Sequence, residues 1–326
     1  MTGEETSSPF SLMTKEKTSK IDLAENLLKQ NNYAGAISLL EELSREFPEE
    51  ESVLLMLSWA YYDSGNIRQT VRCLNALLER EFSRKVFTGF AFDELVRIYK
   101  QQKDFSRLVE ICERAVAVQP DDIGLLNELG NAYLQSGSAG KACAAYEQLV
   151  KMENDNPAFY CLWGDALFAA GLKNESEAMY VKAGEIDPDQ RDRYYFKIAV
   201  LFQKAGHHQD AERLLNQCIA VNASNPLYYC SLGDSLVGMG KIQKAREAYE
   251  QAVQHDAVRA AAYYNRLGHS LMNAGNFAEA ATAFQTAINH EPLRTYYINL
   301  SSAYEKMGLA DRAETLIREA DKTTGA

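Results

Sequence analysis

The stretch from Asn225 to Val253, NPLYYCSLGDSLVGMGKIQKAREAYEQAV, decides the fold. Its tyrosine pair, Tyr228-Tyr229, has counterparts at Tyr194-Tyr195, Tyr263-Tyr264 and Tyr296-Tyr297, spaced by 34, 35 and 33 residues. A fixed period of this length marks a chain built from tandem supersecondary units, each contacting its neighbours, and not one closed core.

Other positions fall into line with the pairs. An apolar residue followed by a small one recurs as Leu129-Gly130, Trp163-Gly164, Ile198-Ala199, Leu232-Gly233, Leu267-Gly268 and Leu300-Ser301. A glycine comes next, at Gly137, Gly171, Gly206, Gly240, Gly275 and Gly308. Then follow an alanine in most units (Ala142, Ala211, Ala245, Ala280, Ala313) and a large apolar residue (Tyr146, Tyr180, Leu215, Tyr249, Phe284, Ile317). Apolar residues keep helical spacing on both sides of the turn glycine, so each unit reads as two amphipathic helices. The glycine supplies the left-handed cap that ends the first helix. Asn156-Pro157 and Asn225-Pro226 read as an N-cap followed by a first-turn proline, and Pro48, Pro120, Pro188 and Pro292 punctuate the units.

A helix–turn–helix unit of about 34 residues with these offsets resembles the tetratricopeptide repeat family. The resemblance covers about residues 17–322, in nine units starting near residues 17, 51, 89, 123, 157, 192, 226, 261 and 294. It implies an all-α fold, a right-handed α-solenoid of antiparallel helix pairs. The first three units depart from the pattern. Asn31 stands where the first turn glycine belongs, Thr70 replaces the alanine of the second, and Val96, Lys103 and Leu108 replace small residues in the third. Four extra residues fall between the second and third units, so a longer helix or a loose junction is expected over 82–90. Residues 1–16, polar and poor in core formers, read as disordered, and residues 323–326 as a short tail. Polar Ser19 and Lys20 at one end and Asp321 at the other read as the caps of a whole array. Both tyrosines of each pair are expected to be buried, the second at the family's packing-aromatic position and the first towards the preceding unit.

Charge and cysteine usage narrow the function. The net charge of −11 excludes a phosphate-backbone ligand such as nucleic acid. The six cysteines form no C-x-x-C and mostly lie among apolar residues, which implies buried free thiols and a cytoplasmic location. No apolar run is long enough for membrane insertion. Chemistry is not legible. Gly240-Lys241 lacks the rest of a phosphate-binding loop, and HEPLR at 290–294 has Arg294 where a zinc helix needs its second histidine. His207-His208 falls in a turn with no further ligand nearby. No cofactor, no metal and no catalytic group is expected: the chain reads as a non-enzyme.

The resemblance implies a concave groove lined by the first helix of each unit. Register projects into it Trp59, Tyr62, Asp93, Glu94, Arg97, Asn127 and Asn131, then Asp165, Phe168, Lys197, Arg266 and His269. The paired Lys and Asn on consecutive units that grip chaperone C-termini in this family are missing. The groove is acidic and aromatic first and basic later, which suits a protein or peptide partner with a basic or apolar segment. Trp59 and Tyr62 read either as apolar anchors or as packing between the second and third units. The expected function is a scaffold or adaptor that binds a segment of a partner in the groove. The alternatives are a self-assembling structural protein, hence a homo-oligomer, or a non-catalytic regulatory subunit of an envelope or carbohydrate enzyme.

Overall fold

A computed structural model describes residues 9–85, 87 and 89–324. The chain divides into two compact bodies, residues 1–149 and 150–326. Among the described residues the first body holds α1 (Pro9–Lys29), α2 (Tyr33–Glu46), α3 (Glu51–Asp63), α4 (Ile67–Arg84), α5 (Phe90–Gln102), α6 (Phe105–Val118) and α7 (Ile123–Gln135). The division falls near the end of α8 (Ala139–Met152). The second body continues with α9 (Pro157–Ala169), α10 (Lys173–Ile186), α11 (Arg191–Lys204), α12 (His208–Val221), α13 (Pro226–Gly238) and α14 (Ile242–His255). It ends with α15 (Ala260–Asn273), α16 (Phe277–His290), α17 (Arg294–Lys306) and α18 (Ala310–Thr324). Each body is an all-α solenoid of antiparallel helix pairs. Odd-numbered helices are the first of each unit and even-numbered helices the second.

The turn inside every unit holds one residue in the left-handed region. Seven of these are glycines, Gly65 among them with φ of 80°, but Asn31 (58°) and Lys103 (56°) adopt the same conformation. The departures from glycine are therefore substitutions in sequence only. Asn32, Asn66 and Asp104, each right after such a turn, then cap the second helix with their side chains. Asn156 and Asn225 cap α9 and α13, each accepting from the amide two residues on at 3.1 Å.

A pairing sixteen residues apart holds each unit's two helices together. The small residue of the first helix meets the large apolar residue of the second. A Cβ added to Gly130, Gly164, Gly233 or Gly268 would come within 2.4 to 2.8 Å of the ring of Tyr146, Tyr180, Tyr249 or Phe284. These rings are all but fully buried. At the same register the remaining units carry Ala24 with Leu40, Ser58 with Leu74, Val96 with Cys112, Ala199 with Leu215 and Ser301 with Ile317. Glycine goes with an aromatic ring every time and never with an aliphatic side chain. The bulkiest first-helix residue, Val96, goes with the smallest partner, Cys112. The two positions fill one fixed volume, as close-packed interiors require.

Several sequence readings are corrected. The tyrosine pairs are unequally buried: Tyr228 and Tyr263 are 3% and 5% exposed, while Tyr229 and Tyr264 are half-buried and stack on His255 and His290. Tyr194 and Tyr195 are both half-buried, and only Tyr296-Tyr297 is buried as a pair. The second helices supply four of the deepest rings, Tyr146, Tyr180, Tyr249 and Phe284, each resting on a glycine backbone, and the first helices supply Tyr99 and Phe202. α1 begins at Pro9, so residues 9–16 of the segment read as disordered are helical; residues 1–8 lie outside the described residues. Lys17, paired with Glu50, and Lys20, within 3.1 and 3.2 Å of Glu42 and Glu46, fix the following turns. A helix already nucleated extends at little cost. At the other end α18 reaches Thr324, past the boundary read at 322, and residues 325–326 are outside the described residues.

The four-residue insertion becomes one further turn of α4, which has 18 residues where α2, α6 and α8 have 14. Phe82 stacks on Phe87 with centroids 6.0 Å apart, Phe87 meets Phe92 at 5.4 Å, and the Arg114 guanidinium lies 4.7 Å over the Phe82 ring. Aromatic packing thus occupies the segment read as a longer helix or loose junction; residues 86 and 88 of it are outside the described residues.

One charge is built into the second body's core. Asp192, 6% exposed at the start of α11, accepts from the Tyr228 hydroxyl at 2.7 Å, the Asn222 amide at 3.1 Å and the Arg193 backbone N–H at 3.0 Å. Burial pushes its carboxyl up, but these hydrogen bonds outweigh burial and hold it below the ordinary carboxylate value.

Two outcomes follow from this packing. Gly233→Ala places a methyl 2.5 Å from the Tyr249 ring and 3.3 Å from the Ala245 carbonyl oxygen, so thermal unfolding should show a loss of about 3 kcal/mol. Adding Tyr249→Leu, which recreates the Ala–Leu pair of two other units, should recover about 1–3 kcal/mol of it as coupling energy. Strict additivity would overturn the size-matching account. For Asp192, whose folded pKa is depressed, the stabilisation is present above the unfolded value of about 3.9 and is lost as pH falls through the folded value. Asp192→Asn should therefore lower stability at neutral pH and flatten the acid limb of the unfolding profile.

Candidate partner-binding face

The first helices of each body place the projected residues along one face, but as a bonded strip and not as free groups. In the first body Arg97 of α5 donates through Nη1 to the Tyr62 hydroxyl of α3 at 2.8 Å and lies 4.6 Å over its ring. It also binds Glu94 at 2.5 and 3.0 Å, and these two partners raise its pKa. Lys100 reaches Glu128 of α7 at 2.6 Å. Asn127 accepts a long 3.5 Å bond from Asn131, whose own Oδ1 accepts from the buried Tyr146 hydroxyl at 3.0 Å.

The second body repeats the arrangement. Asp165 accepts from the Tyr180 hydroxyl on one oxygen and from Lys197 at 3.1 Å on the other. Asp234 accepts from the Tyr249 hydroxyl at 2.5 Å and from Arg266 at 2.7 and 3.0 Å. Arg266 also reaches the Ser231 hydroxyl at 3.1 Å, and although desolvation works against its charge, Asp234 raises its pKa overall. His269 faces Asn299, whose amide lies 3.1 Å from Nε2 and 2.8 Å from Asn265 Oδ1. Phe168 packs at 5.7 Å on the buried Phe202 of the next unit.

A rule appears in the position after the small residue. Where the second helix brings a tyrosine onto glycine, that position is Asn131, Asp165 or Asp234 and receives the hydroxyl. Where it brings Phe284, the position is His269, which touches that ring edge-on at 5.3 Å. Asn131 and Asp165, read from the sequence as groove contacts, thus also satisfy buried hydroxyls. Lys197 and Arg266, read as the basic end of the groove, are tied to carboxylates one unit back. Asp234, Ser231 and Glu128, which the same register also projects into the groove, complete the strip together with Lys100, which it does not, and the recurring Gly-Asp and Gly-Asn steps carry the signal.

Three regions of the face stay open. Trp59 is 46% exposed and meets Phe90 of the next unit edge-on at 6.0 Å, so it packs between units and still presents a ring to solvent. Between α5 and α7 a cleft of about 540 Å³ has Phe87, Phe92, Val96 and Leu125 for its apolar lining and Asp93, Asp122 and Glu128 for its charge. Partial desolvation, then Glu128 and Glu94, pushes the Asp93 carboxyl above the ordinary range. In the second body a cleft of about 750 Å³ is bordered by Asp234, Val237, Arg266 and His269.

Burial pushes the thiols of Cys73 and Cys161 up to about 11 and those of Cys112, Cys218 and Cys230 up to about 12, which keeps them protonated and poor nucleophiles at neutral pH. Among the described residues no three His, Cys, Asp or Glu side chains gather as metal ligands, and no helix is long and apolar enough to cross a membrane.

Comparison with known proteins agrees with this architecture. Tetratricopeptide repeat profiles match residues 27–85, 123–156, 230–268 and 261–293. The chain is a tetratricopeptide repeat protein. Repeats of this family serve protein–protein interaction. Human aspartyl/asparaginyl beta-hydroxylase is 24% identical over 206 residues, 60% of this chain and 27% of that protein. Mouse protein O-mannosyl-transferase TMTC3 is 22% identical over 63% of this chain and 21% of its own length. Mouse tetratricopeptide repeat protein 17 is 40% identical over 87 residues, 26% of this chain and 7% of that protein. The chain thus spans less than a third of each of these relatives. The crystal structure of MamA protein, 18% identical, covers 53% of this chain and 94% of its own with a TM-score of 0.42.

The strip separates residues by what their loss exposes. Lys197→Ala removes a half-exposed pair and should change stability by no more than about 0.5 kcal/mol. Arg266→Ala strands the more buried Asp234 and should cost about 2 kcal/mol, and Asn131→Ala, which orphans the Tyr146 hydroxyl, about 1–2 kcal/mol. Equal effects of all three in urea unfolding would contradict these assignments.

Proposed function

We propose that the chain is a non-catalytic adaptor whose first-helix face binds a protein segment carrying a basic residue next to an apolar one, at Asp93 and the adjoining aromatic rings. The observation that carries this reading is the placement of Asp93 among Glu128 and Glu94 in a cleft shared by Phe87, Phe92 and Leu125, a setting that also pushes its carboxyl up. Glu94 is already bound by Arg97 and Glu128 by Lys100, whereas Asp93 has no cationic partner among the described residues. An incoming Lys or Arg would relieve the crowding of like charge, and Trp59 and Phe90 offer exposed ring surface for its apolar neighbour. The six free cysteines support a reducing, cytoplasmic setting for this adaptor.

The sign of the pH dependence is fixed by the shift. A bound cation stabilises the Asp93 carboxylate, so affinity should rise as pH rises through its elevated pKa and fall on acidification below it. Fluorescence anisotropy with a labelled peptide of alternating Lys and Leu should show this dependence. Asp93→Asn should abolish it and weaken binding about tenfold, and Trp59→Ala should weaken binding without altering the pH profile. Peptide binding unaffected by either substitution would remove this face from consideration.

A further inference from the structure

A further cleft of the first body lies on the opposite kind of wall, between the second helices α4 and α6, and its charge is reversed. It measures about 780 Å³. Along α4, Arg68, Arg72, Asn75 and Glu79 follow one another at helical spacing on one stripe, and Arg107, Glu110 and Arg114 form the facing stripe of α6. One end is closed by a bidentate clasp, Arg114 to Glu79 at 2.6 and 2.7 Å. The Tyr99 hydroxyl, 3.4 Å from Asn75 Nδ2, and the buried Ile111 form the floor.

The clasp uses up one arginine and one glutamate and leaves three arginines against Glu110. Arg107 lies 3.5 Å from Asp104 and is 61% exposed, and neither Arg68 nor Arg72 has an acidic partner among the described residues. This concentration of positive charge stands in a chain of net charge −11. The fold does not demand it. Between α10 and α12 the same clasp recurs, Arg213 to Glu177 at 2.9 and 2.7 Å, but there the remaining charged residues, Lys182 and Glu185, cancel.

We propose that the α4–α6 cleft binds an acidic protein segment, its carboxylates held by Arg68, Arg72 and Arg107. Planar guanidinium groups bind carboxylates in two-pronged fashion, and Arg68 and Arg72, one helical turn apart, are about 6 Å from each other along the axis. Gln69 and Asn75 provide amide partners for a peptide backbone, and Val71 and Ile111 take an apolar side chain between the acids. A free inorganic anion would use the charges but neither the amides nor the floor. The occupant differs in sign and in location from the basic segment proposed for the first-helix face, so the two sites are independent.

The test is anisotropy of a labelled peptide of alternating Glu and Leu titrated with the full chain at low and physiological salt. Binding is expected, weaker at higher salt, and reduced about tenfold in the Arg68→Gln/Arg72→Gln variant. A control with the same change of net charge, Lys244→Gln/Arg246→Gln on α14, should bind as the unsubstituted chain does. Circular dichroism melting unchanged in both variants keeps the readout on binding. No binding above that of the corresponding Gln–Leu peptide, or equal weakening by both variants, would overturn the proposal. Displacement of the peptide by equimolar inorganic phosphate would assign the cleft to a small anion instead. Self-association of the unliganded chain that the Arg68→Gln/Arg72→Gln variant loses in light scattering would assign it to a second copy.

Discussion

Each unit of this chain depends on how closely its two helices approach, and in four of them that distance is set where a second-helix ring rests on a first-helix glycine. At Gly233 there is no room for a methyl group beneath Tyr249. The contact removes a large ring from water and makes many weak dispersion contacts at once. It also dictates what its neighbours can be. A buried phenol must hydrogen-bond, so the residue after the glycine becomes an acceptor, and that acceptor attracts a cation from the next unit. Tyr249, Asp234 and Arg266 form one such chain from core to surface. Packing within a unit and electrostatics between units are thus two ends of one constraint.

The same coupling explains what the candidate face can offer. Charges that look like a ligand-binding array when projected from sequence are in large part spent on neighbouring units. A partner gains little by displacing Arg266 from Asp234, since it must replace a charge-assisted bond with another of the same kind. Selectivity is left to groups that the strip does not satisfy: Asp93, the half-exposed Trp59, and on the second-helix side Arg68 and Arg72. Groups held under mutual repulsion or left without a counter-charge are where binding free energy is available.

Unit boundaries were legible because they rest on residues with few alternatives: a left-handed turn residue, an N-cap, a proline at a helix start. Starts read at 51, 123, 157, 226 and 294 coincide with observed helix starts, those at 89, 192 and 261 differ by one residue, and the first, read near 17, falls inside α1, which begins at Pro9. Which tyrosine of a pair is buried was not legible. Adjacent residues on a helix are 100° apart, and a rotation of that size decides between core and flank. Nor was the occupation of Asn131, Asp165 and Lys197, because sequence register gives the direction of a side chain but not the partner waiting there. The size match between positions sixteen apart was present in the sequence. It needed the ring–backbone contact to show that the two columns describe one volume.

The extended α4 bears on how such a chain changes length. Four residues add about 6 Å to a helix and rotate its end by about 400°, within 40° of a whole turn. Phe82, on the added turn, therefore still meets Phe87, and Phe87 meets Phe92 of the following helix. An insertion of two or three residues at the same place would turn the apolar stripe towards water and break the junction. Insertions and deletions in second helices of this protein are consequently quantised. Natural variants should differ there by multiples of one turn, and interhelical clefts such as that between α4 and α6 should widen or narrow in the same steps.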